Sequence, residues 1–219
     1  MPNLRFEVEQ AEAIRYAPAP MLAFALKLSN DAAREHIQSV MLQYQVWIEP
    51  AGRQYDTQEQ GLLLDLFGEP NRWNRTVRSL LWTRGTALVP PFSGSGRVDL
   101  DVPCTYDFNI AVAKYFYALT NGVVPLRLMF SGTVFYVPED LHDGAIQVSQ
   151  IPLETEASYR LPVKIWEEMM GHYYPNTHWL CLEKDLFAQL YRYKVQHGLA
   201  TWERVFERLL PTEVREGAR

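Results

Sequence analysis

Cysteine is nearly absent from this chain: Cys104 and Cys181 are the only two in 219 residues, and no CxxC pair occurs. That excludes a disulfide framework and predicts a reducing compartment, the cytoplasm. A basic excess is missing as well, since 21 Lys and Arg stand against 26 Asp and Glu, a formal charge of −5. Binding to a phosphate backbone needs a basic footprint, so the global charge argues against nucleic acid. No apolar run approaches the roughly 20 residues of a membrane helix. The N-terminal MPNLRFEVEQAEAIRY is acidic and alternating, unlike a signal peptide. Neither a Gly-x-Ser-x-Gly elbow nor a phosphate-cradling glycine loop is present; SGSGR lacks the spacing of the former.

What is present suits a folded domain. Hydrophobic residues make up 47% and charged ones 21%, ordinary values for a globular protein. Alternation marks the first strands. LRFEVEQAEAI alternates from Leu4 and slips at Gln10; MLAFALKLSN puts Leu22, Phe24, Leu26 and Leu28 on one face. In IQSVMLQYQVWIEP, Val40, Leu42, Tyr44, Val46 and Ile48 share a face, and Gln43, Gln45 and Trp47 take the other. A polar second face implies an antiparallel sheet with one wet side. The period changes over residues 56–78, where Leu62, Leu63, Leu66 and Phe67 suit one or two helical turns stopped by Gly68. Extended chain returns in SLLWTRGTALV, RVDLDV, VPLRLMFSGTVFYV and AIQVSQI, with Gly132 placed for a bulge or a close backbone approach.

Residues 107–119 can be read two ways. Phe108, Val112, Tyr115 and Leu119 form a helical stripe with Asp107 at the N-cap position. Against this, Asn121-Gly122 could close a hairpin between two strands. The stripe favours a helix, with Cys104 as a small buried hydrophobe beneath it. After Pro152 the period is helical, with LPVKIWEEMMGHYY, then EKDLFAQLYRYKVQHG to Gly198, then WERVFERLL capped by Thr201. The expectation is an α+β fold: a β-rich body over 1–152 as a sheet or sandwich with an inserted helix, and a helical segment over 153–210 packed on it as one domain. Residues 211–219 form a flexible tail.

Three residues have ligand types that suit zinc: His172, His178 and Cys181. Their H-x5-H-x2-C spacing matches no familiar ligand pair, and HYYPNTHW also reads as an aromatic connection between helices. His36 and His142 fall in predicted loops. Arg72, Arg75 and Arg78 recur every three residues beside Trp73 and Trp82. On a helix they would form a basic stripe on an acidic protein, and Arg and Trp dominate interface hot spots. The plainer reading is a solvated face with cation–π packing. The functional one is a docking patch for an acidic partner.

The blocks LFGEPNRW, VPCTYDFNIAVAKYF, VPLRLMFSGTVFY, RLPVKIWEEMM, YPNTHWLCL and HGLATWERV span nearly the full length. In them the chain resembles a bacterial family of unknown function whose genes often neighbour those of oxygen-tolerant uptake NiFe-hydrogenases. That resemblance implies a hydrogenase-associated accessory role and carries over no catalytic residue. A second likeness is to SecB-type export chaperones, through Cys104, the helix to Leu119, and Gly122, Val124, Pro125 and Leu126. It implies an oligomer with apolar grooves for unfolded clients, although the 56–78 insert and the helical tail depart from it. The expected function is therefore a non-enzymatic, cofactor-free accessory protein that binds a protein partner, such as hydrogenase subunits or maturation proteins. The alternatives are a SecB-like chaperone, and a metal-binding protein or enzyme with a site assembled from distant residues.

Overall fold

The computed structural model describes residues 2–31, 35–138 and 145–210. The chain divides into two compact units, Met1–Asn176 and Thr177–Arg219. His142 and the tail from 211 lie outside the described residues.

The first unit is built on two antiparallel sheets. β1 (Leu4–Ala13), β2 (Met21–Asn30) and β6 (Ser95–Pro103) form a three-stranded sheet in the order β1-β2-β6. The six-stranded sheet runs β4 (Leu80–Val89), β3 (His36–Ile48), β7 (Val123–Val137) and β8 (Gln147–Gln150). β5 (Phe92–Ser93) adds to β3, and β9 (Glu156–Pro162) adds to β7. Their inner faces meet in one core. Phe6 of β1 stacks on Phe130 of β7 at 4.7 Å, Phe24 meets Tyr159 of β9 edge-on at 5.9 Å, and Tyr44 donates its hydroxyl across to the Asp101 carbonyl at 2.8 Å. The alternations read from the sequence set these faces: Leu22, Phe24, Leu26 and Leu28 are all buried, as are Val40, Leu42, Tyr44, Val46 and Ile48. The slip at Gln10 is a bulge. Glu9 is skipped in the β1–β2 register, and its carboxylate meets Arg97 of β6 at 2.8 Å. The β9 strand is absent from the sequence reading, although Ala157, Tyr159 and Leu161 alternate there.

Two insertions carry four of the unit's α-helices. Between β3 and β4 lie α1 (Thr57–Leu62), α2 (Leu64–Phe67) and α3 (Trp73–Thr76). Gly68 ends α2 at φ +73°, and Leu63 and Phe67 reach the core. Between β6 and β7 lies α4 (Ile110–Tyr117). Residues 107–119 are thus helical in their centre, but the cap is Asn109 and not Asp107. The Asn109 side chain accepts from the Val112 N–H at 3.2 Å and donates to the Leu81 and Trp82 carbonyls at 2.9 and 3.1 Å. An amide can donate and accept together, so it ties the helix start to β4 as a carboxylate could not. Phe108 precedes the helix and is exposed, while Val112, Tyr115 and Leu119 are buried.

α5 (Val163–Tyr173) follows β9 directly, with Pro162 as its N-cap, and lies against β1 and β9. It belongs to the first unit, although the sequence reading grouped it with the C-terminal helices. The second unit holds α6 (Lys184–Gln196) and α7 (Trp202–Leu209). Gly198 follows α6 at φ +60°, the Thr201 hydroxyl caps α7 at the Arg204 N–H, and the Phe187, Tyr191 and Trp202 rings gather between the two helices. Among the described residues no helix is long and apolar enough to cross a membrane.

Gly132 is a close-approach glycine. Its φ is +140°, and a Cβ there would stand 2.0 Å from the Met41 carbonyl oxygen of β3. Gly132→Ala is expected to lower unfolding free energy by about 3 kcal/mol, from strain plus a forced shift of two central strands. Urea denaturation checks this.

Candidate functional site

The β3–β4 insert is held by a buried ion pair. Asp56 and Glu59 form a capping box on α1: the Asp56 carboxylate accepts from the Glu59 N–H at 2.8 Å, and Glu59 accepts from the Asp56 N–H at 3.2 Å. The other Glu59 oxygen receives the Arg53 guanidinium and the Thr120 N–H, the latter at 3.0 Å. Arg53 also donates to the Asn121 and Val123 carbonyls at 2.7 and 3.2 Å. The side chains of this pair are only 7% and 3% exposed. Beside it, the Tyr55 and Tyr115 hydroxyls bond at 2.8 Å, and Tyr55 donates to the Pro50 carbonyl at 2.8 Å. Burial pushes the Tyr55 phenol up to about 12 and that of Tyr115 higher still. Asp56-x-x-Glu59 is the signal in the sequence that could have found this network.

On that support the chain displays the arginines. Pro70–Arg72 is a 3-10 turn, Trp73–Thr76 is one turn of α-helix, and Val77 starts extended chain. Arg72, Arg75 and Arg78 are all exposed, but they do not form a stripe along one helix. Among the described residues none of the three has an acidic partner. Trp73 is half-buried. Its indole N–H donates to the Gly68 carbonyl at 2.7 Å, and its ring meets Phe67 and Tyr55 edge-on at 5.7 and 5.3 Å.

Trp82 is a correction. It is 2% exposed, inside the core, and cannot meet a partner. The β3–β4 register passes from Val46–Thr83 to Trp47–Leu81 and skips Trp82, so a bulge aims the indole inward. There it packs on Phe116 at 5.3 Å and Trp166 at 5.7 Å, which themselves stack at 4.2 Å.

The zinc-type candidates are divided between the two units. His172 lies near the end of α5 in the first unit, and His178 and Cys181 precede α6 in the second. Among the described residues no group of three or more His, Cys, Asp or Glu is arranged to hold a metal ion. Cys104 is 1% exposed and bonded to the Val102 carbonyl, and burial pushes its thiol far above the ordinary value. A thiol held neutral is a poor nucleophile, so Cys104 acts as core packing.

Two outcomes follow from the buried network. Glu59→Ala strands the Arg53 charge and is expected to cost about 3–5 kcal/mol in unfolding free energy by denaturant titration. The second concerns alkali. A phenol raised in the folded state keeps its proton where the unfolded chain has lost it, so stability falls as pH rises. For Tyr55 that loss runs from about 10 to about 12. Tyr55→Phe should flatten melting temperature against pH across that window.

No curated protein matches this sequence. Among solved structures, beta-glucosidase 3B from Thermotoga neapolitana in complex with alpha-D-glucose aligns with 73% of this chain at 10% identity and a TM-score of 0.27. This chain spans 17% of that one, and so low a score carries no argument about fold or activity. Neither that structure nor the matching family model speaks of hydrogenases or export chaperones. The model, described as "Family of unknown function (DUF6084)", matches residues 1–218, and this chain belongs to that family.

Proposed function

We propose that this chain is a non-catalytic interaction protein that docks an acidic surface of a protein partner through Arg72, Arg75 and Arg78. The observation that carries the reading is the set of three exposed arginines with no acidic partner among the described residues, held on an insert that a buried ion pair anchors. Some arginines of the chain are paired: Arg97 meets Glu9 and Arg127 meets Glu49, each at 2.8 Å. Arg72, Arg75 and Arg78, gathered over residues 72–78 without such a partner, concentrate positive charge on a chain of net charge −5, and charge complementarity of this kind steers association and fixes register. Trp73, braced by Phe67 and Tyr55, supplies a rigid aromatic beside them. The sequence resemblance names the partner class: subunits or maturation proteins of a NiFe-hydrogenase.

The test is purification of the full chain at native expression from a bacterium that makes it, with mass spectrometry of the co-eluting proteins. Recovery of hydrogenase subunits or maturation proteins is expected, with recovery falling as salt rises. Arg72→Glu/Arg75→Glu/Arg78→Glu should abolish that recovery while moving the melting temperature by no more than about 2 °C. Recovery unchanged in the triple variant removes the docking role. A broad set of unfolded clients would point instead to a chaperone.

A further inference from the structure

A second surface lies on the opposite insertion-free edge of the three-stranded sheet. β1 ends that sheet, and α5 runs beside it, leaving an open groove of about 690 Å³. The Tyr173 hydroxyl closes one end, within 2.7 Å of the Ile14 carbonyl and 3.0 Å of that of Ala17. The backbone on the β1 wall can be assigned from the ladder. The Ile14 N–H donates to the Met21 carbonyl at 2.9 Å, and bonded pairs in an antiparallel ladder alternate with non-bonded ones. Ile14 and Glu12 therefore bond to β2, whereas Ala11 and Ala13, opposite Phe24 and Leu22, turn their N–H and C=O groups away from it. Those groups face the groove that both alanines line, and among the described residues no strand is hydrogen-bonded to β1 on that side.

We infer that this groove binds an extended peptide of a partner protein, which adds to β1 as a further strand. An edge strand facing a helix offers what such a peptide needs: main-chain partners on one wall and side-chain pockets on the other. Ala11 and Ala13 supply donors and acceptors for up to two residues of the ladder, and their small side chains leave the approach open. Ile165 of α5, half-buried, gives an apolar contact for one side chain of the peptide. The chemistry of the terminus follows from the closed end. Arg15 and His172 line the groove and are the sequence neighbours of the latched Ile14 and Tyr173, and Arg15 has no acidic partner among the described residues. A free C-terminal carboxylate fits there, so the peptide runs parallel to β1. Glu12 and Glu168 line the groove as well and disfavour further acidic residues upstream. This surface shares no residue with the arginine segment, so the two proposals stand or fall apart.

The test pans a random octapeptide library with free C-termini against the full chain, then measures affinities of the enriched peptides by calorimetry. Peptides with an apolar residue near a free carboxylate are expected, and amidation should weaken them. Ala13→Pro removes only the outward N–H, which edge strands tolerate, and should weaken binding at least about tenfold. Arg15→Glu should do likewise at an exposed position with the backbone intact, so the test stays decisive even where proline unfolds the strand. Arg72→Glu/Arg75→Glu/Arg78→Glu should bind the same peptides unchanged. No enrichment over an unrelated protein overturns the inference, as do enriched peptides that bind both β1 variants at full affinity. A dimer in sedimentation that Ala13→Pro dissociates would give this edge to a second copy and overturn it too.

Discussion

The ion pair of Arg53 and Glu59 is the constraint on which the β3–β4 insert depends. Two charges buried together cost several kcal/mol of desolvation each, and attraction alone seldom recovers it. Here the hydrogen bonds of Thr120, Asn121 and Val123 share the load. Those partners come from the connection after α4 and the first residue of β7, so a pair six residues apart in sequence fastens a segment 61 to 70 residues away. The Tyr55–Tyr115 bond repeats the same span with neutral groups. Removing either charge alone would leave that neutral bond and the Lys114–Asp65 pair to hold the insert to α4 around a stranded buried charge.

Much of the fold could be read from the sequence because sheet burial follows a period of two. The inner faces of β2 and β3 were visible as unbroken alternation, and the β1 bulge as a break in it. Helix α2 and its glycine stop followed from a change of period. Trp82 was misread because a bulge reverses which side of a strand a residue faces, and bulges on β4 leave no mark in the pattern. Asp107 was chosen as cap by residue type, whereas Asn109 is fixed by two carbonyls of β4 that only the tertiary structure brings near. β9 escaped because seven residues with a polar flank resemble a loop before a helix.

The candidate surfaces were legible to different degrees. Arg72, Arg75 and Arg78 stood out by spacing, and all three are exposed, as a solvated face and a docking patch both require, although a single helical stripe does not form. The groove beside β1 left no trace in composition, since alanines and a methionine read as core. Its character comes from strand order and ladder alternation, properties of pairing and not of any one residue. The zinc-type residues likewise stood out by type alone, and their positions are divided between the two units.

Pro162 is at once the last residue of β9 and the cap of α5, and the Tyr173 hydroxyl fastens the other end of that helix to the turn after β1. A helix tied at both ends is a fixed wall. A ligand entering beside it meets a surface already in its bound shape, and little conformational entropy is spent in ordering the receptor. Recognition at such a wall is governed by fit: a residue one methylene too large is refused, because neither the ladder nor the latch can give way alone.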